Sequence, residues 1–197
     1  KWGFMAGPAG PKKYILCNCE EGDPGAYNDK GILESDPHTL LEGVTIAGYA
    51  TGASNGFVFI RHGHDGPIDR TEHAIEQAYE AGLLGEKILG SDFSFDIEVS
   101  LTGESYVAGE ETALMDSIEG KRAMPRFKPP FPAQYGVYGK PTTVNNAETF
   151  ASAPTIMRKG GDWFRELGVE NSGGTKLFSV SGHVAKPGNF EVNLGLP

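Results

Sequence analysis

No uninterrupted apolar run in these 197 residues approaches the roughly 20 needed to cross a bilayer as a helix, so direct membrane insertion is not expected. Cysteine is almost absent. Cys17 and Cys19 are the only two, and they lie two apart in an apolar run that reads as a strand. They are poorly placed to bridge each other, and two thiols cannot enclose a metal by themselves, so a reducing cytoplasm is the simplest setting. Positive charge is scarce too. Against 26 Asp and Glu stand 17 Lys and Arg, a net charge of -9 with no basic cluster, which argues against a nucleic-acid partner. There is no Gly-x-Gly-x-x-Gly after a strand, no phosphate-loop lysine motif and no Gly-x-Ser-x-Gly elbow, which sets aside ordinary dinucleotide enzymes and hydrolases. Of five histidines only His62 and His64 form a close pair, for which structural or surface roles come ahead of metal binding.

Glycine, by contrast, is abundant. There are 28, against a usual share of roughly 7%, together with 13 prolines. They fall between patterned segments and therefore read as tight turns and close backbone approaches, a backbone that suits phosphate and ring-system ligands. At 39% hydrophobic and 22% charged, the remainder is ordinary for a globular domain with a sizeable core. The chain opens on Lys1 and a patterned segment follows at once, so it is expected to be a piece of a longer protein.

Tyr14 to Cys19, bounded by Pro11 and the Gly22–Gly25 turn, suits a buried parallel strand. Asp36 before Pro37 has the form of an N-cap with proline at the first helical position, and Gly52 that of its C-terminal stop. Phe57 to Ile60 reads as a second buried strand, and Pro67 opens an amphipathic helix ending at Gly82. Strand, helix, strand, helix predicts an α/β fold with a mostly parallel sheet and right-handed crossovers. Phe93, Phe95, Ile97, Val99 and Leu101 alternate with polar residues as a third strand would, and Glu110 to Glu119 reads as a short helix. Four prolines between Pro125 and Pro132 impose an extended loop. Asn145 with Glu148 resembles a capping box, and Pro154 is expected to kink or interrupt the helix it opens. From Thr175 the texture turns β-rich, so residues 1-174 are expected to form one domain and 175-197 the start of another.

Four segments can carry chemistry. Glu20-Glu21-Gly22-Asp23 follows the first strand, and ligands of open α/β sheets lie at the carboxyl ends of strands; a solvated acidic turn is the plain alternative. Three acids in four residues repel phosphate, so contact with ribose hydroxyls or a carboxamide is expected, and an extra 2′-phosphate is disfavoured. Gly109-Glu110-Glu111-Thr112 lies at a helix start, where free N–H groups could meet a ligand, although acids favour any helix N-terminus by roughly 0.3–1 kcal/mol. Arg126 to Pro132 joins cations and two aromatics to a stiff backbone, which suits stacking of a flat ring and equally a packed loop or a partner contact. Thr142 to Asn146 offers hydroxyls and amides; capping explains Asn145 but leaves Asn146 and the threonines over.

Together, Lys1-Trp2, Asn18-Cys19-Glu20-Glu21-Gly22-Asp23-Pro24-Gly25, Asp36-Pro37-His38, Gly109 to Leu114, Lys128 to Ala133 and Lys140 to Asn146 resemble, in order, one family. It is the NADH-oxidising FMN subunit of respiratory complex I, with its relatives in NAD-linked hydrogenases and formate dehydrogenases. The resemblance implies a Rossmann-like domain binding FMN and NAD(H), followed by the truncated start of a ubiquitin-like (β-grasp) domain. It implies hydride transfer from NADH to FMN and single-electron transfer to iron–sulfur clusters of partner subunits in a complex I-like, hydrogenase or formate dehydrogenase assembly. By motif position Lys1, Asn18, Glu20, Glu21, Tyr106, Gly109, Glu111, Asn145 and Asn146 would line FMN, with no acid or base required as a catalyst. Phe4, Asp23, Glu110, Lys128 and Phe131 would face NADH.

A bacterial cytoplasmic location follows from the resemblance, peripheral on the inner face of the membrane through partner subunits. The family's glycine-rich flavin loop and its four-cysteine domain, which ligates a four-iron four-sulfur cluster, lie outside these residues. Cys19-Glu20 departs from the usual Ala-Asp, and Asp23 from the glutamate common in complex I. The shorter Asp23 leaves the choice of nicotinamide cofactor open, while Cys19-Glu20 and the missing segments keep a second reading open, a scaffold or regulatory module that retains the fold without flavin chemistry.

Overall fold

The computed structural model describes residues 1–7, 10, 12–103 and 105–196. A short helix α1 (Trp2–Met5) leads into β1 (Tyr14–Cys19), α2 (Asn28–Ser35), α3 (Pro37–Thr51), β2 (Asn55–Arg61), α4 (Asp65–Glu80) and β3 (Asp96–Thr102). There follow α5 (Glu111–Ile118), β4 (Thr142–Asn146), α6 (Ala147–Lys159), α7 (Gly161–Glu166) and the strands β5 (Thr175–Val180) and β6 (Gly188–Asn193).

Because β1 is hydrogen-bonded on both edges and covered on both faces, its sequence is nearly continuous in apolar residues. The four-stranded sheet runs β3-β2-β1-β4, all parallel, with Tyr14 opposite both Asn55 and Thr142. Alternation along β1 divides the core. Ile15, Cys17 and Cys19 pack with Leu40 and Val44 of α3, Ile75 of α4 and Phe150 of α6, whereas Tyr14 and Leu16 pack with Leu114 and Met115 of α5. Each fully buried side chain of this kind contributes about 1.5–3 kcal/mol. The chain crosses from β1 to β2 and from β2 to β3 on one face, and from β3 to β4 through α5 on the other. The reversal lies between β1 and β4, the topological switch point at which open α/β sheets bind ligands.

Local chemistry accounts for most element ends. Asp36 caps α3 by accepting from the Thr39 N–H at 3.1 Å and the Thr39 hydroxyl at 2.6 Å, and Gly52 closes it with a φ of 71°. Helix α4 begins at Asp65, two residues before Pro67, because a proline missing its N–H is harmless anywhere in a first turn. The alternating run from Phe93 becomes strand only at Asp96; Phe95 instead forms an antiparallel bridge with Gly85.

Three sequence expectations change. Thr142 to Asn146 is a parallel strand, its β-branched residues fitting a pleated surface beside β1. The cap of α6 is therefore Asn146, whose Oδ1 accepts from the Glu148 N–H at 2.9 Å, and not Asn145. Nor does Pro154 interrupt α6, which runs through it. The carbonyl that proline leaves without its helical donor is that of Phe150, and Gly43 of α3 lies directly on it: a Cβ at Gly43 would stand 1.9 Å from that oxygen. The missing N–H and the missing side chain thus permit one close helix crossing.

The antiparallel hairpin β5–β6 forms a separate two-stranded sheet. It is fastened to the first sheet's helices by polar contacts: Leu177 N–H donates to Glu148 at 2.7 Å, Asn28 Nδ2 to the Leu177 carbonyl at 3.0 Å, and Ser179 Oγ to Asn28 at 2.7 Å. Among the described residues, no helix is long and apolar enough to cross a membrane.

Candidate functional site

At the carboxyl ends of β1 and β4 a cleft of about 580 Å³ opens, within the ~300–1,000 Å³ typical of small-molecule sites. Its walls come from the loop after β1, the start of α2, the Tyr106–Glu110 turn, Asn146 and Glu148 at the start of α6, and Lys176 of β5. A larger recess of about 760 Å³ lies between α2, α6, α7 and the hairpin. We place the site in the smaller cleft, since it sits on the switch point and gathers eight of the fourteen sequence-predicted residues.

The acidic loop is far from a solvated turn. Glu20 is 3% exposed, because the Arg61 guanidinium at the end of β2 donates to it at 2.6 Å and the Gly22 N–H at 3.0 Å. Glu20 also packs so closely on Gly109 that a Cβ there would lie 2.9 Å from Oε2. Asn18 crosses from β1 to the same turn, its Nδ2 donating to the Gly109 carbonyl at 2.8 Å. Glu21, at a φ of 37°, caps α2 from outside: its two oxygens accept from the N–H groups of Asn28, Asp29 and Lys30 at 2.6, 2.9 and 2.8 Å. Asp23 stays at the exposed rim, accepting from the Gly25 N–H at 2.9 Å.

Behind this loop lies Asp29, 5% exposed, its Oδ2 accepting from Asn146 Nδ2 at 2.7 Å. Burial, reinforced by the neighbouring Glu21 charge and only partly offset by the Asn146 hydrogen bond, pushes its carboxyl up to about 7. Asn146 also donates to the Asn18 carbonyl at 3.2 Å, so its amide ties β4 to β1 and α2 at once.

At the adjoining edge, Glu110 caps α5 through the N–H groups of Thr112 and Ala113 at 2.9 and 3.1 Å. Partial burial opposes its ionisation, but those bonds, the Thr112 hydroxyl and Lys128 hold its carboxyl below the usual range. Glu111 receives Lys128 at 2.6 Å and Lys1 at 3.2 Å, which outweigh burial and lower it likewise. Lys1 donates in addition to the Val144 carbonyl at 2.9 Å. Tyr106 turns a ring that is 70% exposed to solvent beside the cleft.

A family profile described as the Nuo51 FMN-binding domain matches residues 1–155. The chain belongs to that family. Its full length is 47% identical to a subunit of the NADH-quinone oxidoreductase of Rhizobium meliloti, covering 47% of that protein, and 44% identical to the corresponding NADH-quinone oxidoreductase protein of Rickettsia bellii, again covering 47%. It is 49% identical to the NADP-reducing hydrogenase subunit HndC of Solidesulfovibrio fructosivorans, of which it covers 40%. In structure, it superposes on a chain of the NAD+-reducing NiFe hydrogenase in its air-oxidised state with a TM-score of 0.86 at 37% identity, over 96% of this chain and 32% of that one. The chain spans about half the length of the curated relatives it matches.

Within this Nuo51 FMN-binding domain, the cleft brings together Asn18, Glu20, Glu21, Asp23, Tyr106, Gly109, Glu110 and Asn146. Lys1, Glu111 and Lys128 form the ionic network beside it. Strand alternation sends Asn145 to the opposite face from Asn146, where its Oδ1 accepts from Trp2 Nε1 at 3.0 Å. Phe4, 86% exposed, and Phe131, 55% exposed, stand outside the cleft walls. Sequence reasoning missed Arg61, Asp29, Glu148 and Lys176. Arg61 was within reach, since it ends a strand at the carboxyl edge; Glu148 was visible only as a capping residue, and Asp29 and Lys176 depend on α2 and on a hairpin returning from far along the chain.

Proposed function

We propose that this chain is the FMN- and NADH-binding part of an NADH-oxidising flavoprotein subunit, which takes hydride from NADH and delivers electrons singly to iron–sulfur centres of a larger assembly. The observation that carries it is the switch-point cleft, whose lining, apart from Lys176, lies within the Nuo51 FMN-binding match. FMN, when bound, supplies the conversion from two-electron to one-electron transfer. The donor set suits it: an acceptor-rich wall for ribityl hydroxyls, fixed amides at Asn18 and Asn146, and the open ring of Tyr106 for stacking. Lys1, Asn18, Glu20, Glu21, Tyr106, Gly109, Glu111, Asn145 and Asn146 are the flavin-side residues in this reading. Phe4, Asp23, Glu110, Lys128 and Phe131 form the nicotinamide side, where Lys128 balances Glu110 and Glu111. No side chain need act as acid or base. The protein's contribution is placement and charge.

The extra methylene of Glu20 does not argue for a flavin-free scaffold. Its bond to Arg61 fixes the longer side chain against the cleft wall. The likeness to relatives named for NADH-quinone oxidoreductase and for a hydrogenase supports iron–sulfur subunits as partners and a bacterial cytoplasmic location, held to the inner membrane face through them. Residues 1-174 would form the Rossmann-like domain, and the hairpin from Thr175 would open a ubiquitin-like one. The test is to purify the full-length protein, measure its flavin content, and follow ferricyanide reduction with NADH and with NADPH. Bound FMN and NADH-driven reduction are expected; a full-length protein that holds no flavin would sink the reading.

A further inference from the structure

Among the described residues that line the cleft, Lys176 is the only lysine or arginine. Six carboxylates share the walls with it, those of Glu20, Glu21, Asp23, Asp29, Glu110 and Glu148. All six are already engaged: Glu20 by Arg61, Glu21 by the α2 amides and Lys30, Glu110 by the α5 amides and Lys128, Asp29 by Asn146, Asp23 by the Gly25 N–H, and Glu148 by the Leu177 N–H and Lys176 itself. Among the lining residues, an anionic ligand therefore has one cation to meet, and it comes from the hairpin, beyond residues 1–155.

Lys176 is also held in place. Its neighbour Leu177 is hydrogen-bonded to Glu148 of α6 on one side of the cleft and to Asn28 of α2 on the other, at 2.7 and 3.0 Å. Its ammonium pairs with Glu148. An ammonium has three donors, so it can keep that carboxylate and still donate to a second oxygen. FMN, on the reading above, brings a phosphate monoester of nearly two negative charges into a cleft of net negative charge.

We propose that Lys176 is a cofactor-binding residue: reaching across from β5, it donates to the phosphate of FMN, so that the flavin is held between the four-stranded sheet and the hairpin. The inference rests on FMN being the ligand. Pyrophosphate of NADH offers similar oxygens, but the cation beside the nicotinamide-side residue Glu110 is Lys128, and Lys1, the other flavin-side cation, is engaged by Glu111 and the Val144 carbonyl outside the cleft walls.

The experiment uses the full-length protein stripped of flavin and titrated with FMN and with riboflavin, which lacks the phosphate, by quenching of flavin fluorescence. In Lys176→Gln, FMN affinity falls about tenfold to a hundredfold, the usual worth of a charge-assisted hydrogen bond, while riboflavin binding is unchanged. Lys176→Arg recovers most of the loss. Glu148→Gln, which removes the competing charge but leaves an acceptor for the Leu177 N–H, binds FMN at least as tightly as the wild type. Equal losses for both flavins would make Lys176 a clamp of the hairpin only and overturn the proposal, as would weaker NADH binding with FMN binding intact. Failure of the wild type to bind either flavin would instead refute the functional reading beneath it.

Discussion

Replacing Asp29 by asparagine removes an ionisable group whose ionisation the fold resists. Its carboxyl moves from an ordinary value of 3.8 to about 7, first through burial and then through the charge of Glu21. Below pH 3.8 the group is neutral whether the chain is folded or not, and it affects stability not at all. As pH rises the unfolded chain ionises freely while the folded chain resists, so stability is lost progressively until about pH 7 and the loss then levels off. At about 1.4 kcal/mol per pH unit, the handicap is roughly 1.6 kcal/mol at pH 5 and roughly 4 kcal/mol at pH 8. Asparagine keeps an oxygen to accept from Asn146 Nδ2 and carries no such handicap. Asp29→Asn should therefore gain on the wild type by about 2.5 kcal/mol between pH 5 and pH 8. Urea unfolding of both full-length proteins at the two pH values, followed by tryptophan fluorescence, measures it. A stability difference that stays constant with pH would refute the argument.

Other outcomes follow from the same structure. Arg61→Met strands the Glu20 carboxylate in the interior and should cost about 3 kcal/mol, the low end for a broken buried pair because Arg61 is partly exposed. Adding Glu20→Gln should restore much of it, and urea midpoints of the single and double variants decide. Gly43→Ala drives a methyl onto the Phe150 carbonyl, a backbone atom that no rotamer change can move, and should lower stability by about 3 kcal/mol in thermal unfolding. Cys17 and Cys19 are free, buried and 3.5 Å apart at sulfur, and burial pushes the Cys19 thiol well up. A thiol reagent should consequently label them only as fast as the chain unfolds, and rapid labelling of the native protein would contradict that burial.

How far the sequence could be read depended on whether each feature was local. Asp36-Pro37 and Gly52 declared both ends of α3 because cap, proline and left-handed glycine all lie within the helix's own neighbourhood. Helix α2 declared nothing: its cap is Glu21, bonded across a turn, and it contains a glycine. Strand β4 was hidden because five residues ending in two asparagines look like a helix entry, and only the empty edge of β1 makes them a strand. In the site, the motif order located the acidic loop and the Glu110–Glu111 turn, whereas Asp29 and Lys176 became visible only when distant segments closed the cleft.

The fastening of the hairpin to α2 and α6 also bears on the order of events during synthesis. A ribosome releases the strands of the four-stranded sheet well before Lys176, and domains tend to fold as they emerge. At that moment the nascent cleft has its floor and its acidic loop but lacks the side that Lys176 and Leu177 later pin to Glu148 and Asn28. Loading of a ligand on the ribosome would thus meet an open trough, and retention would begin only once the following strand had been made.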